Sequence, residues 1–109
     1  MNPVWDLEHM HYQQIETKLL ANGFTVEQDI LIGNPPGYYV TTGRSAFVIP
    51  DGDVNTLENV AQRYKVGILA IDENHPRGLE SFYAQAISQG GFTYLFNVGK
   101  YQVYSFRSN

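Results

Sequence analysis

Three stretches of the chain carry side chains that could bind or react. Asp72-Glu73-Asn74-His75 sets two carboxylates close to an imidazole. Carboxylate oxygen and imidazole nitrogen suit ions such as Zn or Mn. A closed metal site needs more ligands than this cluster supplies, and a solvated loop before a helix start at Pro76 accounts for it. Asp51-Gly52-Asp53 offers carboxylates that, with Asp72, could do acid–base work. Turn and capping chemistry accounts for both Asp51 and Asp53. His9 and His11 stand two apart in a helical pattern, on different faces, so they do not readily chelate one ion. Nucleophilic catalysis finds no support: there is no Cys, no Gly-x-Ser-x-Gly elbow and no Ser beside an evident base. Gly-rich phosphate motifs are missing, and Gly90-Gly91 precedes a strand pattern rather than a helix. The expectation is a chain with no catalytic residue, no metal and no cofactor.

That leaves binding, and the stretch around which binding is organised is Ile30-Leu31-Ile32-Gly33-Asn34-Pro35-Pro36-Gly37-Tyr38. An apolar strand stops abruptly there and hands polar groups to one edge of a sheet. The strand is read as Val26 to Ile32, continuously apolar at its end, as in a strand covered on both faces. Asn34-Pro35 is a helix cap followed by proline at the first position, and Gly43 is a matching stop. A short helix over Pro35 to Thr42 follows. Gly37 and Val40-Thr41-Thr42 count against it, and a Pro36-Gly37 turn into a strand is the competing reading.

Before this stretch, Tyr12, Ile15, Leu19 and Leu20 form a helical stripe, with Glu8, Gln13, Glu16 and Lys18 toward solvent. Asn2-Pro3 or Asp6 starts that helix and Asn22-Gly23 ends it. Trp5 lies ahead of the stripe, at a core end or at a membrane-interface level. After it come a short strand over Ala46 to Ile49 and the turn Pro50-Asp51-Gly52. Asn55 with Glu58 reads as a capping box, and Leu57, Val60, Ala61 and Tyr64 as the cleanest amphipathic helix. Ile68 to Ile71 is a buried strand. Leu79, Phe82, Tyr83 and Ala86 make a third stripe, broken by Gly90-Gly91. Phe92 to Phe96 and Tyr101 to Phe106 alternate about Asn97-Val98-Gly99-Lys100, a half-exposed hairpin.

Helices alternating with apolar strands imply an α/β fold: three layers, Rossmann-like, with a mostly parallel sheet of about five strands and an antiparallel C-terminal hairpin. Ligands of such sheets collect beyond the carboxyl ends of the strands. That edge would hold Asn34, Pro35 and Tyr38 after the first strand, Asp51 after the second, and Asp72, Glu73 and His75 after the third. Arg44 reaches it only if Pro35 to Thr42 is a turn rather than a helix. The candidate ligand-binding residues are therefore Asn34, Tyr38, Arg44, Asp72 and His75.

With 109 residues the chain makes one domain. A domain of this size buries roughly two-thirds of its unfolded surface. Zero Cys excludes a disulfide framework and a thiolate metal site. The net charge is −4, and the seven Lys and Arg form no basic run. This argues against nucleic acid and against a polybasic membrane anchor. No apolar run approaches the ~20 residues that span a bilayer, and the start lacks a signal-peptide pattern. As given, the chain reads as soluble. Eight Tyr fit large amphipathic side chains in a small core better than a Tyr-rich ligand contact.

One ordered series runs through nearly the whole chain: Asn34-Pro35-Pro36-Gly37-Tyr38-Tyr39, Thr42-Gly43-Arg44, Val48-Ile49-Pro50-Asp51-Gly52-Asp53, Asn55-Thr56-Leu57, Ala61-x-Arg63-Tyr64-x-Val66, Ile71-Asp72-Glu73-Asn74-His75-Pro76 and Tyr101-x-Val103-Tyr104. It resembles the soluble C-terminal domain of multi-spanning membrane glycosyltransferases of the protein mannosyltransferase and aminoarabinose transferase superfamily, especially uncharacterised bacterial members. The resemblance implies a domain on the extracytoplasmic face, after the last membrane span, whose partner is the transmembrane part of a parent protein. It implies a non-catalytic, accessory role beside a site that transfers a lipid-linked sugar, with contact to sugar or acceptor through the strand edge. The family's catalytic acidic residue lies on the membrane part, and no position here matches it. The alternatives are a stand-alone small-molecule or nucleotide-binding module and a structural module that forms homo-oligomers through the hairpin.

Overall fold

The computed structural model describes residues 3–107, with side chains from Leu7 onward. The readings placed on Asn2 and on the Trp5 side chain lie outside the described residues. The elements are α1 (Pro3–Ala21), β1 (Ile30–Ile32), α2 (Pro35–Thr42), β2 (Ala46–Val48), α3 (Val54–Arg63), β3 (Ile68–Ile71), a 3-10 turn (Arg77–Leu79) leading into α4 (Glu80–Gln85), β4 (Phe92–Val98) and β5 (Tyr101–Phe106).

The strands form one mixed sheet in the order β2-β1-β3-β5-β4. β1 runs parallel to both β2 and β3, with Ile30 opposite Ala46 and Ile68. β5 runs antiparallel to both β3 and β4. The sheet is thus half parallel and half antiparallel, not mostly parallel. A hairpin closed by Gly99-Lys100 must be antiparallel. Its second strand, buried from Tyr101 through Tyr104, takes an interior place. Of the two hairpin strands, β4, with exposed Thr93 and Asn97, lies at one edge of the sheet, and β2 forms the other edge.

Successive side chains of a strand point to opposite faces, so the central strands feed two core clusters. Ile30, Ile32, Ile68, Ala70 and Val103 meet Tyr12, Ile15 and Leu19 of α1 and Tyr38 of α2. Leu31, Leu69, Ile71 and Tyr104 meet Leu57 and Ala61 of α3, with Leu79 and Phe82.

Several local expectations change. Leu20 is half exposed, and its place in the stripe belongs to Glu16, which is buried. Glu16 is tolerated there because it meets the guanidinium of Arg44, with Nη2 2.6 Å from Oε1. β1 begins at Ile30 rather than Val26. The preceding residues form a turn whose Thr25 and Gln28 carbonyls both accept from Arg44 Nη1, at 2.5 and 2.6 Å. Pro35 to Thr42 is the expected helix and not the competing turn, and Gly43 stops it at φ +79. The cap of α3 is Asp53, whose carboxylate accepts from the Thr56 N–H at 3.1 Å, and not Asn55. α4 ends at Ala86, at φ +50, ahead of the Gly90-Gly91 pair.

Candidate functional site

The carboxyl ends of β1, β2 and β3 open on one side of the sheet. The strand order reverses there, since β2 and β3 lie on opposite flanks of β1. A cleft of about 300 Å³ occupies this position. Its walls are Gly33 after β1, Ile49 and Asp51 after β2, and Asp72, Asn74, His75 and Pro76 after β3. The loops after β2 and β3 are pressed together at two glycines. A Cβ on Gly78 would stand 2.2 Å from the carbonyl oxygen of Gly52.

Asp72 follows directly on the buried strand β3. Its Oδ1 accepts from the Asn74 N–H at 3.1 Å, which shapes the loop as an Asx turn. Burial pushes its carboxyl above the ordinary carboxylate range, against the Asn74 hydrogen bond, and the charges of Glu8 and Glu73 push the same way. Asp51 is exposed at the cleft mouth.

His75 is held at both ring nitrogens. Nδ1 lies 2.8 Å from the Asp72 carbonyl and Nε2 lies 2.5 Å from Glu80 Oε2. A carbonyl and a carboxylate both accept, so the arrangement suits the doubly protonated ring. Burial opposes that charge, but the Asp72 carbonyl and Glu80 carboxylate outweigh it and raise the imidazole above its ordinary value. Tyr83 packs on the ring at 4.7 Å. Among the described residues, no group of three or more His, Asp and Glu side chains is placed to hold a metal ion. His9 and His11 diverge: His9 Nδ1 is 3.0 Å from Thr41 Oγ1, while His11 sits edge-on to Tyr101.

Asn34 stands beside the Gly33 wall and caps α2, its Oδ1 accepting from the Gly37 N–H at 3.3 Å. Pro35 and Pro36 open that helix and have no N–H to offer. The amides that a helix N-terminus normally presents to an anion are therefore missing or used here.

The structure brings Asp72 and His75 together at the cleft, with Asn34 adjoining. It does not bring Tyr38 or Arg44 there. The Tyr38 hydroxyl donates to Glu16 Oε2 at 2.8 Å inside the core, and burial followed by the Glu16 charge raises its pKa. Arg44 precedes β2, at the opposite end of the strand, and is fully buried around Glu16. With Pro35 to Thr42 helical, the chain returns to the amino ends of the strands before Arg44.

A second cleft, of about 460 Å³, lies on the far side of Asp72 and Asn74. α1 contributes Glu8 and His11 and the hairpin contributes Lys100 and Tyr101. Glu8 was expected toward solvent. It is half buried, and its Oε1 accepts from the hydroxyls of Tyr12, at 2.8 Å, and Tyr101. Burial, with Glu8 adding to it, pushes Tyr12 up to about 12 and Tyr101 upward as well, so both hydroxyls stay protonated donors. No local pattern announces this cleft, because its two sides are joined only by the closure of the hairpin on α1.

Among the described residues, no helix is long and apolar enough to cross a membrane. A scan against protein-family models finds no match for this chain, and searches of curated proteins and of solved structures find none either.

Proposed function

We propose that this chain is a non-catalytic binding domain that holds a neutral, hydroxyl-rich ligand, a sugar, in the cleft between the ends of β1 and β3. The observation that carries this reading is the chemistry of the rim. The carboxylates of Asp51 and Asp72, the Asn74 amide and the His75 ring line a small cleft, and the adjoining helix start has been stripped of free N–H groups. Sugar hydroxyls both donate and accept, which matches such a rim. A phosphate would meet Asp51 and Asp72 and find no helix amides, which counts against nucleotides.

In the setting that the residue series suggests, the domain is an extracytoplasmic accessory part of a membrane glycosyltransferase that uses a lipid-linked sugar. It works against the transmembrane part of the parent protein and positions sugar or acceptor. The two core clusters on opposite faces of β1 and β3 support a three-layer, Rossmann-like arrangement. Contact between copies through the hairpin would use β4, since β5 is enclosed by β3 and β4.

The test is amide chemical-shift mapping with millimolar monosaccharides and lipid-sugar analogues. The expected result is movement at Gly33, Asp72, Asn74 and His75. Spectra unchanged at those residues, or a clear rise in melting temperature with nucleotides instead, would overturn the reading. The setting has a separate test in the reading frame upstream of Met1: membrane-spanning segments there support it, and a frame without them removes it.

A further inference from the structure

Asp72 and Asn74 belong to the walls of both clefts. The two hollows are therefore separated by a single loop, and the hollow away from β1 is the larger. From these shared walls we infer that the ligand is a linear saccharide of two or more units, one unit between β1 and β3 and the next between α1 and the hairpin turn, with the linkage passing over Asp72. This rests on the reading of the rim as a sugar site and names its substrate class.

The second cleft has what a second sugar unit needs. His11 is half buried and stands edge-on to the buried Tyr101, with ring centroids 6.1 Å apart, so the imidazole is the ring against which a sugar unit would lie. Hydroxyls of the unit can reach the Lys100 ammonium and the carboxylates of Glu8 and Glu73 around it. Lys100 is itself held 2.8 Å from Glu73 Oε1, so donor and acceptor stand side by side at the mouth. The wall between α1 and the turn is tight. A Cβ on Gly99 would stand 2.8 Å from His11, so the imidazole lies directly on the turn. Each cleft taken singly stands at the lower end of ordinary ligand-pocket volumes, and linking two units raises affinity through effective concentration without a new contact.

The experiment compares one monosaccharide with its linear di- and trisaccharides, on the wild-type chain and on a His11→Ala/Lys100→Ala variant whose fold is checked by its amide spectrum. The monosaccharide is expected to shift the Gly33 and His75 side only. The longer ligands are expected to shift His11, Lys100 and Tyr101 as well and to bind at least tenfold more tightly. In the variant that advantage is lost while monosaccharide binding is kept. Equal affinity for all lengths, with shifts confined to the first cleft, overturns the inference and leaves the sugar reading standing. Failure of every saccharide to shift the rim overturns both.

Discussion

Arg44 encloses Glu16: its Nε and Nη2 both reach the Glu16 carboxylate, and the pair joins α1 to the segment between α2 and β2 inside the core. Tyr38 donates to the same carboxylate, and the second guanidinium arm holds the Thr25 and Gln28 carbonyls. Four separate stretches of chain thus depend on one buried charge. Removing one partner of a buried pair strands the other, at a cost of about 3–5 kcal/mol. Glu16→Ala and Arg44→Ala should each lose that much in urea unfolding. Glu16→Leu with Arg44→Met should lose clearly less than the sum of the singles. Tyr38→Phe, which removes one donor, should cost about 1–3 kcal/mol.

Asn34 caps α2 beside the Gly33 wall of the cleft. Its cap on α2 predicts that Asn34→Ala costs about 0.5–2 kcal/mol, while Asn34→Asp keeps the acceptor and most of the stability. Comparing the two by thermal unfolding separates the cap from other roles of the side chain. Equal stability of Ala and Asp variants would show that the cap contributes nothing.

Asp72 should trade stability for function. Its folded carboxyl titrates above the ordinary 3.8, so stability falls as the pH rises from there through the raised value, and the full penalty persists above it. Asp72→Asn can still accept from the Asn74 N–H but carries no charge. The variant should melt higher than wild type at pH 7, and the gap should close below about pH 3.8. Sugar-induced shifts at the rim should weaken in the same variant.

His75 reverses the sign. Its folded value lies above the ordinary 6.5, so the charged ring contributes stability that is fully present below about pH 6.5 and is lost as the pH rises through the raised value. Glu80→Gln removes the carboxylate charge beside the ring and leaves an amide oxygen that can still accept. The imidazole pKa of the variant, followed by NMR, should fall toward the ordinary value. The melting difference from wild type should be largest below about pH 6.5, where the ring is charged, and should vanish in alkaline buffer.

The parts of the fold legible in the sequence are those set by short-range pattern. Ile30 to Ile32 and Ile68 to Ile71 declare themselves as buried strands, and they are neighbours running the same way. Asn34-Pro35 and Gly43 mark the two ends of α2. Contacts between distant residues were not legible. Glu16 looks like a solvent residue until Arg44, 28 positions later, is seen against it. Gln102 and Ser105 make β5 look half exposed. Yet Gln102 is buried, because its amide donates to the Tyr83 carbonyl and its oxygen accepts from Tyr104. The rim followed the same division. Asp72 and His75 could be placed from the end of β3, whereas Tyr38 and Arg44 turned inward for a partner on α1.

The meeting of Gly78 with Gly52 decides how the cleft behaves in time. Two backbones touching with no side chain between them leave the loops after β2 and β3 no space to close further on each other. The mouth is therefore expected to act as a bowl rather than a jaw. Occupancy should carry little ordering cost, capture should proceed in a single kinetic step, and selection among ligands should come from the shape already standing there.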